Sequence, residues 1–102
     1  MGKRKYPPLT PGEVVAILLK SAFALKRTHG DHAHYERLPN ESDPLRRIVT
    51  VDMGAKDFGD TLMKSMIEQS GLGRSKFYGA TKRTAAKAGV EFLRVSSDLE
   101  SE

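Results

Sequence analysis

The sequence predicts an α+β fold: a three-stranded antiparallel sheet with helices on one face, in the order α-β-β-β-α, followed by a C-terminal extension. Three features carry this reading. A capping sequence at Thr10 opens an apolar pattern of helical spacing. Two strand-like segments flank Gly30, and a β-branched run follows at residues 46–52. A second amphipathic segment lies behind that run, before Gly71. Short consecutive strands joined by turns pair antiparallel, and helices with one apolar stripe cover one face of such a sheet. The other face stays open to solvent or to a ligand.

The first helix begins at Thr10-Pro11-Gly12-Glu13. Thr10 caps free backbone N–H groups, Pro11 suits the first turn, and Glu13 completes a capping box. Val14, Ile17, Leu18 and Ala22 then recur at helical spacing. Phe23 to Thr28 reads as a strand, His29-Gly30-Asp31 as a turn, and His32 to Arg37 as a second strand. Pro39, Asn40, Ser42, Asp43 and Pro44 make a loop. Arg46 to Asp52 is the strongest strand, rich in β-branched side chains. A loop from Gly54 to Gly59 leads to the second helix, capped by Asp60 or Thr61, with Leu62, Met63, Met66 and Ile67 on its apolar face and Gly71 just past its end. A third helix is expected from Ala80 to Ala88, ended by Gly89, with an extended piece from Val90 to Val95. The chain divides into an extended basic leader (1–9), the α-β-β-β-α domain (10–78) and an extension (79–102) that is basic and then acidic.

The 102 residues suit one domain, and the absence of cysteine excludes disulfide frameworks, thiol catalysis and Cys-ligated zinc. The longest apolar run, Val14 to Leu19, is too short for a bilayer, and no signal-peptide pattern follows the first basic residues, so the cytoplasm is the expected compartment. The net charge of +4 is unevenly placed. Lys3, Arg4 and Lys5 make the leader basic, and residues 13–70 carry eight basic and nine acidic side chains. Arg74, Lys76, Lys82, Arg83, Lys87 and Arg94 stand against Glu91 alone in residues 71–94. Asp98, Glu100 and Glu102 end the chain. A basic balance favours an anionic partner such as nucleic acid, reached through phosphate contacts.

Three histidines, His29, His32 and His34, fall within six residues. On a strand His32 and His34 share a face, which suits either a metal or an exposed polar surface. The polar surface is the plainer reading, and neither a metal nor a cofactor is expected. A single histidine also suffices for proton transfer near neutral pH. RNA carries its own nucleophile, the 2′-hydroxyl, so one histidine and a few cations are compatible with a small ribonuclease. No glycine-rich phosphate loop or serine-nucleophile signature is present.

The segments Pro8-Leu9-Thr10-Pro11-Gly12-Glu13, Ala22-Phe23, Gly30-Asp31-His32-x-x-Tyr35 and the run from Lys56 to Gly73 resemble, in that order and spacing, the HicA family of toxin–antitoxin toxins. The resemblance covers about residues 7–78. It implies a double-stranded-RNA-binding-domain-like fold, cleavage of messenger RNA without a metal, His32 as the catalytic acid or base, and Lys56 at the phosphate. Gly30, Asp31 and Tyr35 support the motif. Arg27 on the neighbouring strand, with Arg74 and Lys76 from the basic region, are further expected RNA contacts. The implied protein partner is a HicB-type antitoxin covering the histidine. Asp31 stands where the family has serine, and Met53 where a second histidine is frequent. A non-catalytic RNA-binding module on the same fold is the alternative, with no membrane partner under either reading. His29 and His34 read as ordinary surface residues.

Overall fold

The computed structural model describes residues 5–93. The first part of the basic leader and the acidic end lie outside the described residues. The element order is α1 (Pro11–Lys20), β1 (Ala24–His29), β2 (His32–Arg37), β3 (Arg47–Asp52), α2 (Asp60–Ser70), α3 (Arg74–Tyr78) and α4 (Lys82–Ala88). The three strands form one antiparallel sheet in the order β1-β2-β3. The predicted fold class is therefore the observed one.

Both halves of the expected capping box form at α1. The Thr10 hydroxyl accepts from the Glu13 N–H at 3.2 Å, and the Glu13 carboxylate accepts from the Thr10 N–H at 2.9 Å. The helix stops at Lys20, two residues short of Ala22. Ala22 is not on its apolar face but exposed, in the left-handed region at φ 71°. That turn lets the Phe23 N–H return to the Leu18 carbonyl and buries the Phe23 ring.

Side chains alternate across β2 and β3. Ala33, Tyr35, Val49 and Val51 are buried against the helices, while His32, His34, Thr50 and Asp52 occupy the opposite parity. Tyr35 thus faces the core, 8% exposed, and offers no stacking surface on the open face. β1 is an edge strand with every residue exposed, and Lys26 and Arg27 discourage pairing by another chain there.

Gly59, not Asp60 or Thr61, caps α2, without a side-chain cap bond. Asp60 instead occupies the first turn, where its charge complements the helix dipole. The expected third helix is α4, which begins at Lys82 rather than Ala80, with Thr81 as its cap, and ends before Gly89 as expected, whereas α3 ahead of it was not anticipated. Gly79 breaks them apart where the chain crosses itself: a Cβ there would stand 2.5 Å from the Glu91 carbonyl oxygen and 2.6 Å from that of Ser75.

The core continues past the sheet. Met63, Met66 and Ile67 of α2 join Phe77, Tyr78, Ala80 and Ala88 in one buried cluster with the α1 residues Val14, Ile17 and Leu18. The leader is tied in at three points. Leu9 and Phe58 form a β-bridge, the Tyr78 hydroxyl donates to the Pro7 carbonyl at 2.8 Å, and Arg74 donates to the carbonyl of Lys5. Burial pushes the Tyr78 hydroxyl well above the usual phenol range, so it acts as a lasting donor. Among the described residues no helix is long and apolar enough to cross a membrane.

Candidate active site

The site is built on a hairpin. Gly30 and Asp31 form a two-residue loop, with Gly30 at φ 61° and Asp31 not in the left-handed region. This is the arrangement a glycine-first tight hairpin turn requires. Such a loop pairs its flanking residues, so His29 and His32 stand opposite one another. On the other side of β2, His32 is opposite Asp52. One transverse row therefore runs His29, His32, Asp52 across the three strands. The next row on the same face runs Arg27, His34, Thr50.

This grouping depends on an irregularity in β1. Leu25 pairs with Tyr35, but Arg27 rather than Lys26 pairs with His34. The extra residue is a β-bulge. A one-residue shift of register exchanges the two faces of a strand. In a regular strand Arg27 and His29 would point to the helix side. The bulge turns both to the face that carries His32.

The hairpin tip is fixed to the end of β3. The Met53 N–H donates to the Asp31 carbonyl at 2.7 Å, and the Gly54 N–H donates to the Asp52 carboxylate at 3.0 Å. The Asp31 side chain lies against Gly54, where a Cβ would come within 2.7 Å of its carboxylate oxygen. Asp31 and Asp52 thus flank Gly54. His34 Nδ1 shares a hydrogen bond of 2.9 Å with the Thr50 hydroxyl. His32 is exposed and has no side-chain hydrogen bond to another described residue.

Beside His32 lies a cavity of about 220 Å³. His32, Thr50 and Asp52 form its sheet side, and Phe58, Ser65 and Gln69 belong to the wall that α2 and its entry loop make along the β3 edge. Lys56 stands two residues before Phe58 in that loop, with its side chain exposed. The arrangement offers an unencumbered imidazole next to a recess of mixed polar and apolar lining, with Arg27 in the adjoining row. Among the described residues no group of three or more histidines or carboxylates is placed to hold a metal ion.

The remaining expected contacts sit elsewhere. Arg74 is partly buried, its guanidinium 5.5 Å from the Tyr78 ring centre and bonded to the Lys5 and Ala88 carbonyls. Its bonds hold the leader and α4 to α3. Lys76 is exposed and lines a larger cavity of about 840 Å³, together with Lys20, Arg37, Asp43, Arg47 and Arg74. Asp43 fixes two of those cations, Arg37 at 2.6 Å and Arg47 at 2.8 Å. The hydrogen bond from Arg47, followed by the backbone N–H of Leu45, holds the Asp43 carboxyl below the usual carboxylate range. This basic recess is at the Arg37 end of β2. The histidines are at the other end, five residues or roughly 17 Å along the strand.

The structure brings His32, Gly30, Asp31 and Arg27 together at the hairpin, with Lys56 in the adjoining loop, and leaves Arg74 and Lys76 outside this group. Asp52 and His29 join the site although the sequence reading passed over them. For His29 a signal existed: a two-residue loop at Gly30-Asp31 pairs positions 29 and 32. With the geometry established, the family model for the HicA toxin of bacterial toxin–antitoxin matches residues 12–72, which takes in nearly all of α1, the whole sheet and α2. No curated protein matches the chain.

Proposed function

Because the chain belongs to the HicA toxin family of bacterial toxin–antitoxin systems, we propose that it is a toxin that cleaves messenger RNA in the cytoplasm, with His32 moving the proton and a HicB-type antitoxin as its protein partner. The observation that carries this reading is the placement of His32: exposed, beside the turn of a hairpin, and bordering a recess that Thr50, Asp52, Ser65 and Gln69 line together with apolar side chains. Its imidazole takes the proton from an RNA 2′-hydroxyl, and the resulting oxyanion attacks the adjacent phosphorus. Lys56 and Arg27 are the cations we assign to the phosphate. Gly30 and Asp31 set the turn, and Tyr35 anchors β2 from the core side. An antitoxin that covers the open sheet face would block His32 directly.

Purified protein incubated with single-stranded RNA in the presence of a chelator tests the reading. Cleavage is expected from the native chain, and His32→Ala should lose about 10²- to 10⁴-fold in rate. Equal cleavage by both proteins would remove His32 from the mechanism.

The basic recess supports a second reading, RNA binding without cleavage. It gathers Lys20, Arg37, Arg47 and Lys76 away from the histidine row, and Arg37 and Arg47 are already held in place by Asp43. RNA that is retained intact in the same assay would favour that reading.

A further inference from the structure

We propose that His29 is the second proton-transfer residue of this site, the general acid that protonates the leaving oxygen while His32 acts as base. The assignment rests on the ribonuclease reading above and deepens it by completing its acid–base pair.

Cleavage by an RNA 2′-hydroxyl needs two proton transfers. The O2′–H bond breaks and its proton passes to the base, while O2′ bonds to phosphorus. The P–O5′ bond breaks, and the departing oxygen takes a proton from the acid. The products are a 2′,3′-cyclic phosphate and a free 5′-hydroxyl, with no oxidant, reductant or water consumed. In-line displacement puts the entering and leaving oxygens on opposite sides of phosphorus. Base and acid must therefore approach one phosphate from two sides.

Two features of the fold place His29 for this. The Gly30-Asp31 loop makes His29 and His32 the closing pair of the hairpin. Paired residues of this kind have Cα atoms about 4.5–5.5 Å apart and project their side chains from the same face. The alternation of β2, with Ala33 and Tyr35 buried, makes this shared face the open one, and the bulge at Lys26 brings Arg27 onto it as well. Both imidazoles are exposed. A phosphate seated at the hairpin tip meets one imidazole from each strand.

The roles follow from what stands beyond each ring. Asp52 is opposite His32 and not His29, so a carboxylate lies on the side of His32 away from His29 and stabilises the imidazolium that forms as His32 takes the proton. Arg27, two residues before His29 on the same face, adds positive charge beside the phosphate. The other titratable groups around the pair are Asp31 in the turn and His34 in the next row, the latter bonded to Thr50. From α2 the recess is lined by Leu62, Ser65, Met66 and Gln69, none of which titrates.

The test compares the native chain, His29→Gln and His32→Ala on two single-stranded RNA oligonucleotides. One is ordinary RNA. The other has its scissile bridging 5′-oxygen replaced by sulfur, which leaves as a thiolate without needing a proton. On ordinary RNA, His29→Gln should be slower by about 10²-fold or more, with the alkaline limb of the pH–rate profile gone. On the sulfur substrate His29→Gln should recover most of that loss, whereas His32→Ala should stay slow, because O2′ still has to be deprotonated. A purely structural role for His29 would slow both substrates alike. An unchanged rate on ordinary RNA, or an equal loss on both substrates, overturns the assignment while leaving His32 and the ribonuclease reading intact. A native chain that cuts neither substrate overturns both. Unaltered thermal unfolding of His29→Gln, expected for an exposed edge-strand residue, separates chemistry from misfolding.

Discussion

Glu13 is where two helices distant in sequence meet. Its carboxylate caps α1 and also receives Arg83 at 2.7 Å and Lys87 at 2.8 Å, both from α4. Burial works against its ionisation, but the hydrogen bonds from Lys87, the Thr10 N–H and Arg83 outweigh that and bring it from 4.5 to about 2. A carboxyl held lower in the folded than in the unfolded chain contributes stability that is present above about pH 4.5 and lost as the pH falls toward 2. Thermal unfolding followed between pH 6 and 2 should show that loss in the native chain, with a markedly shallower slope in Glu13→Gln. Arg83 is largely solvent-exposed, so the effect at neutral pH is about 1 kcal/mol. Equal slopes in the two proteins would remove Glu13 from the acid response. The capping half of this residue's role was legible in the sequence, because Thr10 and Glu13 are three positions apart. The α4 half was not: Arg83 is 70 residues away, and no periodicity encodes such a contact.

Among the elements, α2 shows how one backbone position fixes a junction. Gly71 ends the helix at φ 76°, and a Cβ there would lie 2.5 Å from Nε of Arg47, whose guanidinium is already bonded to Asp43. Gly71→Ala combines left-handed strain with that collision, and should cost about 1–3 kcal/mol in chemical denaturation. Gly59→Ala, at φ −78° with open space around it, should lose less, about 0.5–1 kcal/mol, because alanine is the poorer N-cap. Comparable losses in the two variants would show that helix termination, rather than this contact, sets the cost. The sequence reading placed Gly71 correctly because glycine past an apolar helical pattern is a local signal. It missed α3 because five residues are too few to display a helical period, and it began the following helix two residues early, at Ala80, while placing its end before Gly89 correctly. The bulge in β1 was hidden for a related reason. Phe23 and Leu25 suggested simple alternation, whereas the true faces are set by pairing with β2.

At the scale of the whole molecule, the family match stops at residue 72 but the core does not. Phe77 and Tyr78 are fully buried and pack edge to face with ring centres 5.9 Å apart, and the Thr84 hydroxyl donates to the Tyr78 carbonyl at 2.6 Å. Truncating one large buried aromatic costs about 3–5 kcal/mol, comparable to much of a small domain's stability. A chain ending at Gly73 should therefore fail to fold, seen as loss of dispersion in its amide NMR spectrum. A well-dispersed spectrum would show that residues 74–93 are an accessory. The α-β-β-β-α order was legible because each element declares itself locally, whereas the integration of the C-terminal helices rests on contacts with the leader. The bulge at Lys26 carries one more consequence, and it concerns inheritance. Because the bulge already absorbs one residue, losing the Lys26 codon would leave Arg27 opposite His34 and His29 opposite His32, whereas losing the Thr28 codon would turn Arg27 to the helix side. What descends along a lineage at this surface is therefore the count of residues between bulge and turn as much as their identity.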